Sequence, residues 1–373
     1  MANTNNLTDF LTDVADAIRA KKGTTGTINP QDFSDEIASI STGTDTSDAT
    51  ATAADILKDK TAYVATGKVS GTIETYNGET EDVAPGWIGT VANLGTESPT
   101  AVTFTKSADF PTTWETVTQD SVEFVKIPKM YKKINTVVDN QITGYSISNA
   151  ALDSEYKVYP CFLDESGNEL DYILIAKSIS YASTTITNAR TQARAKGTGY
   201  MIMDWQIKRL WEDLIILLYE TVNINRGGRV ATDLLGLSWG SLWQWVDGIA
   251  KDGTTWVACD KPSKYVNTAT SSTDGYYAVS YSAPTTSNEI QKLGYDSNHP
   301  FVNMPSAVVS NASYDTYYCD YYRYGSGNLP VYCYVVYVDG DDDTDGAFDC
   351  YTRYAWSDAP LYGGSRLCYR PIS

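Results

Sequence analysis

Between Asp204 and Val222 the chain carries Trp205, Ile207, Leu210, Trp211, Leu214, Ile215, Leu217 and Leu218. At 3.6 residues per turn these positions surround most of a helix, so the segment predicts one that is buried on more than one side. Such a helix needs cover from other layers. The phrases "VEFVKIPKMYKKINTVV", "SEYKVYPCFLD" and "NELDYILIAKSIS" read as strands before it. From Tyr317 onward several short strands with turns at Gly325–Gly327, Gly340 and Gly363–Gly364 follow. One or two helices with many short, loop-separated strands predict an α+β body. The helical stretch is too short and too charged to cross a bilayer, and no membrane insertion is expected.

The opening segment predicts a different kind of unit. Leu7, Phe10, Leu11, Val14 and Ile18 follow helical spacing, giving a helix over Thr8 to Lys21 that stops at Gly23. Asn29 and Pro30 form an N-cap and first helical position for a second helix, whose apolar side is Phe33, Ile37 and Ile40. Both helices are too short to stand alone and must pack on each other, on copies in an oligomer or on a docking partner, the last two being favoured because so small a core is marginal. A polar stretch, "STGTDTSDATAT", then leads to "AADILKDKTAYVATGKVSGTIETY", a short helix, a glycine turn and a strand. The expected layout is an attachment module over 1–75, a linker over 76–109 and a large body over 110–373.

A net charge of -18 argues against sequence-independent binding to nucleic acid, which needs a positive surface. Met1 to Asn6 lacks basic residues and no apolar run follows, so synthesis in a cytosol is expected. Six cysteines in 373 residues do not make a disulfide scaffold, and a single histidine with no CxxC pair supports no metal site. Buried thiols are the expectation, with a disulfide among Cys319, Cys333, Cys350 and Cys368 left open.

The last sixty residues are unlike the rest. From Tyr314 to Ser373 there are thirteen of the 28 tyrosines, four cysteines, Phe348, Trp356, Leu361 and Leu367, and neither Lys nor Glu occurs after Lys292. Disordered tails are poor in such residues. A surface rich in Tyr, Asp, Ser and Asn is paratope-like, built for recognition at low entropy cost.

"GLSWGSLWQWVDGI", "DGAF" and "GGSRLCYRP" together resemble the C-type lectin fold in its sulfatase-modifying, formylglycine-generating-enzyme-like branch, and more narrowly the variable proteins of diversity-generating retroelements. "FVKIPKMYKK", "YKVYPCFLD" and "ELDYILIAKS" are similar to blocks of phage tail proteins with that domain. The opening segment resembles N-terminal repeat modules of phage tail fibres. The resemblance implies a hypervariable region over 314–373, edited at adenines, on a phage or prophage tail receptor-binding protein. It implies a host cell-surface receptor, other tail proteins and a homotrimer as partners, and a place on the virion tail after synthesis in the host cytoplasm.

The expected frame of that region is Gly346, Phe348, Trp356, Gly363, Gly364, Arg366, Leu367 and Tyr369, supported by Trp239, Trp243 and Trp245. Gly363 and Gly364 are expected to make a tight turn, and "SRLCYRP" to tie the terminus into the sheet, with Arg366 and Arg370 salt-bridged to carboxylates. The expected ligand contacts between these anchors are Tyr332, Tyr334, Tyr337, Asp339, Asp341, Asp342, Asp343, Asp345, Asp349, Tyr351, Arg353, Tyr354 and Asp358. Tyrosine offers an apolar ring plus a hydroxyl, suited to sugar or protein.

"GDDDTD" invites calcium, because hard cations need clustered oxygen ligands, but it lacks the glycine and final glutamate of an EF-hand loop. No cofactor is therefore expected. The formylglycine-generating branch supplies an enzyme alternative through Cys333, Cys350 and Cys368. With no nucleophile–base arrangement elsewhere, the sequence points instead to a binding protein. A bacterial surface-displayed binder is the alternative outside the phage.

Overall fold

The structure is a computed structural model and describes residues 6–40, 61–64, 67–70, 86–95, 102–222, 234–237, 243–310, 318, 320–333, 348–360 and 363–371. The chain divides into two compact units, Met1–Glu81 and Asp82–Ser373.

In the first unit, helix α1 spans Leu7–Lys22. Asn6 and Asp9 close a reciprocal capping box at its start, and Gly23 ends it in the left-handed region at φ 67°. Asn29 caps the 3-10 turn Pro30–Asp32, which runs into helix α2, Phe33–Ala38. Lys22 and Glu36 join the two helices by an ion pair. Only Ala15 and Ile18 of α1 are buried, while Leu7, Phe10 and Ile37 are exposed. The strands Thr61–Val64 and Gly67–Ser70 form a hairpin.

The second unit holds three sheets. One has five antiparallel strands in the order Tyr200–Ile202, Leu367–Tyr369, Tyr172–Ala176, Val122–Pro128 and Glu115–Gln119. A second five-stranded sheet runs Thr103–Lys106, Ile88–Ala92, Gln141–Ser148, Tyr131–Val138 and Lys157–Val158. Residues read as linker thus contribute two strands of this sheet. The third has ten strands, with Trp243–Asp252 near its centre between Asn328–Cys333 and Gly363–Ser365. Its pairing is antiparallel except where Gly363–Ser365 lies parallel to Trp243–Asp252 and Tyr321–Arg323 parallel to Cys350–Tyr351.

Two further helices complete the unit, α3 over Ile186–Arg194 and α4 over Trp205–Tyr219. The Asp204 side chain caps α4 by accepting from Ile207 N, and Glu220 ends it in the left-handed region. As the sequence predicts, its apolar residues are all enclosed. Its charged residues are enclosed too: Lys208, Arg209, Glu212 and Asp213 are each 5% exposed or less. They form a closed network with a distant lysine. The Asp213 carboxylate accepts from Lys132 Nζ at 2.6 Å, Tyr159 OH at 2.8 Å and Arg209 Nη2 at 2.5 Å. Glu212 takes Arg209 Nη1 at 3.0 Å and also Lys208. Burial drives the Lys132 ammonium down to about 8 despite Asp213 beside it. Asp213, although burial pushes it up, is held below the ordinary carboxylate value by Arg209 and Lys132.

The α+β expectation stands, but the C-type lectin fold does not. Among the described residues the strands of the second unit are divided among three separate sheets, two of five strands and one of ten, which is not a lectin-like arrangement. The motif "GGSRLCYRP" is split between two sheets: its Gly363–Ser365 lies beside Trp243–Asp252 in the ten-stranded one, and its Leu367–Tyr369 belongs to a five-stranded one. Short Trp- and Gly-rich phrases report that a strand is buried, not which strands it pairs with. The assignment to diversity-generating retroelement variable proteins rested on that fold and falls with it.

Candidate functional site

The final segment is built into the second unit, with Leu367–Tyr369 between Tyr172–Ala176 and Tyr200–Ile202. Gly363 N closes a turn on Pro360 O at 2.8 Å, after which Gly363 and Gly364 are themselves strand. Gly364 is required by close approach: a Cβ there would lie 2.8 Å from Tyr181 O. Arg366 is fully buried and donates from Nη1 to Ala176 O and Lys177 O at 2.6 and 2.7 Å and from Nε to Gln244 Oε1 at 3.4 Å. Arg370 does pair with a carboxylate, that of Asp204.

Phe348, Leu367 and Trp245 are core, as expected of a frame. Phe348 packs edge-on to Tyr318 at 4.8 Å, and Tyr369 meets Tyr200 at the same separation. Trp356 is partly buried and donates from Nε1 toward Asn328, 3.3 Å from O and 3.2 Å from Oδ1. Trp243 lies in its strand opposite Gly363. Trp239 and Gly346 lie outside the described residues.

The expected contact residues divide three ways. Tyr334, Tyr337, Asp339, Asp341, Asp342, Asp343 and Asp345 lie outside the described residues, and so does the calcium question raised by the acidic run; Tyr332 is described only as strand, opposite Trp245 and Tyr351. Asp349 and Tyr351 are inside the fold, which corrects their reading as surface contacts. Asp349 Oδ1 accepts from Tyr321 N at 2.6 Å, and the Tyr351 ring packs with Phe124, Leu174, Trp245 and Leu367. Arg353, Tyr354 and Asp358 reach the surface wholly or in part. The Arg353 guanidinium lies 5.7 Å from the Tyr354 ring, and Asp358 accepts from Ala355 N to close the turn that carries Trp356.

Beside them stands a cluster that the sequence reading passed over. In Tyr321–Arg323 the alternation of a strand buries Tyr322 and turns Tyr321 and Arg323 to the partly exposed side. The Arg323 guanidinium sits 4.4 Å from the Tyr321 ring and 5.2 Å from that of Tyr351. Tyr324 has Lys251 over its ring at 4.9 Å, and burial pushes the Lys251 ammonium down. The signal was present in "YYRY", where alternating positions place an aromatic and a guanidinium on one face. Cation-on-ring contacts of this kind hold side chains in place while leaving ring edges and hydroxyls for a partner.

Cys161, Cys259, Cys350 and Cys368 are buried thiols. Cys319 and the Cys333 side chain lie outside the described residues. Among the described residues no group of His, Cys, Asp and Glu is placed to hold a metal. No family model matches the chain, and no curated protein is significantly similar to it.

Proposed function

We propose that the chain is a receptor-binding protein of a phage or prophage tail, whose C-terminal face grips a molecule on the host cell surface. One observation carries the reading: Tyr321, Arg323, Tyr324, Arg353, Tyr354 and Trp356 rise from a frame fixed by Phe348, Tyr351 and Leu367. Trp, Tyr and Arg are the residues that dominate interface energies, and here cation–ring contacts already restrict them. Order before binding lowers the entropy lost on capture. The first unit, with Leu7, Phe10 and Ile37 exposed, supports a role in attachment to copies of the chain and to other tail proteins.

Adsorption of the fluorescently labelled full chain to cells of the bacterium that carries the gene tests the proposal. Arg353→Ala, Tyr354→Ala and Tyr324→Ala should each lower cell-bound protein about tenfold or more, as hot-spot truncations do. Variants that retain the parental melting curve yet adsorb like the parent would overturn it.

A further inference from the structure

A separate cavity of about 420 Å³ opens where α3, the Gly197–Tyr200 turn and the Pro262–Lys264 turn meet. That size is in the range of small-molecule sites. Leu163, Leu170, Met201 and Pro262 give it apolar walls, and three guanidinium groups, from Arg190, Arg194 and Arg370, also line it.

The three cations are not equivalent. Arg190 is committed, with Nε and Nη2 each 2.7 Å from the Asp247 carboxylate and Nη1 3.0 Å from Asn267 Oδ1. Arg194 is exposed, with Nη2 on Pro262 O at 2.7 Å. Arg370 is 3% exposed and gives one N–H to Asp204, while its Nε and Nη1 donate to nothing. Asp204 is already occupied, its Oδ2 accepting from Tyr265 OH at 2.8 Å and its Oδ1 from Ile207 N at 2.9 Å. Nor can the Arg370 backbone withdraw. Its N–H is bonded to Gly199 O at 3.0 Å, and the approach is so close that a Cβ on Gly199 would lie 2.2 Å from Arg370 O. A buried guanidinium with two unused donors is costly to the fold, and a bound acceptor would remove that cost.

We propose that this cavity binds a small molecule bearing a single carboxylate. The carboxylate faces Arg370 and Arg194, and the apolar part of the ligand lies against Leu163, Leu170 and Met201. A planar carboxylate matches the forked edge of a guanidinium. Asp164, Glu165 and Asp247 line the same cavity, so three carboxylates stand against the three cations. A second negative charge, as on phosphate, would meet those carboxylates, whereas a single carboxylate pairs with Arg370 and Arg194 alone. The site stands apart from the C-terminal face, and either reading can fail without the other.

Isothermal titration of the full chain with benzoate, glucuronate and N-acetylglycine, each beside its amide, and with inorganic phosphate, tests this. At least one carboxylate should bind tenfold or more tighter than its amide and than phosphate; which one distinguishes an aryl acid, a sugar acid and a peptide terminus. Arg194→Gln should weaken that binding several-fold, and Arg370→Lys, which keeps the charge but loses the fork, at least tenfold. Because Arg370 also holds Asp204, a melting curve accompanies that variant. Thr198→Trp, an exposed change at the rim, should block the cavity and abolish binding with the fold intact. The proposal is overturned if no carboxylate exceeds its amide, if phosphate binds tightest, or if Thr198→Trp binds like the parent.

Discussion

Asp213→Asn tests whether the charges enclosed around α4 act as one unit. Asp213 is 1% exposed and Lys132 2%, so neither charge is screened by water. In the parent, Asp213 and Glu212 face Lys132, Arg209 and Lys208. The substitution keeps the shape and removes one of the two anions, leaving Lys132 without the carboxylate it is paired to. Removing one partner of a buried pair costs about 3–5 kcal/mol. At about 2–4 °C per kcal/mol for a domain of this size class, melting should fall by roughly 10 °C at pH 7. Lys132 supplies an internal check. Its folded-state value, about 8, lies below the 10.5 of an unperturbed lysine, so between those values the unfolded chain binds more protons and this group's contribution to stability rises with pH. Without Asp213 the ammonium is lower still, and the deficit of the variant should shrink between pH 7 and pH 9 as Lys132 sheds its proton. The double variant Lys132→Met/Asp213→Leu removes both charges and should recover much of the loss. Urea unfolding at both pH values measures all of this. A loss below about 1 kcal/mol for Asp213→Asn, or no recovery in the double variant, would refute the reasoning.

Tyr351→Ala should cost about 3 kcal/mol or more by opening a cavity beside Trp245 and Leu367, whereas Arg353→Ala, on an exposed side chain, should stay within about 0.5 kcal/mol; equal melting curves would contradict the placement of Tyr351. Gly199→Ala should destabilise by more than about 2 kcal/mol, because φ of 86° and the Arg370 carbonyl both oppose a Cβ, and a urea midpoint like the parent's would sink this. Asp213 is depressed in the folded state, so its contribution is present above the unfolded carboxylate value of 3.8 and is lost as pH falls below it; the urea midpoint should therefore drop between pH 4 and pH 2.5 more steeply in the parent than in Asp213→Asn.

What could be read from the residues depended on how far apart the interacting groups lie. The helix α4 was visible because Trp, Leu and Ile recur within a few residues of one another. That its Arg209 and Asp213 are enclosed as well was not visible, since the partner Lys132 lies 81 residues from Asp213 and Tyr159 lies 54. Phe348 and Leu367 could be assigned to the interior on polarity alone. Tyr351 could not, because tyrosine suits core and surface equally, and here the core of Trp245 and Phe124, drawn from distant strands, decides it. The same limit undid the lectin expectation: "SRLCYRP" was read as a strand, and Leu367–Tyr369 is one, but its sheet is set by pairings with residues far along the chain. The cavity lined by Arg190, Arg194 and Arg370 was hidden for a like reason, being assembled from five separated segments.

Leu367–Tyr369 is flanked on both sides, by Tyr172–Ala176 and by Tyr200–Ile202. Among the described residues those two strands are joined in their sheet through it. During synthesis they emerge long before it does and must wait, with the edges it will occupy open, until residues 367–369 follow. The second unit therefore closes only once residues 367–369 have emerged, and a stop before them deprives it of an interior strand rather than a tail. In the cell such truncated chains would present open strand edges, the state most prone to pair with one another, and would be cleared or aggregate instead of assembling.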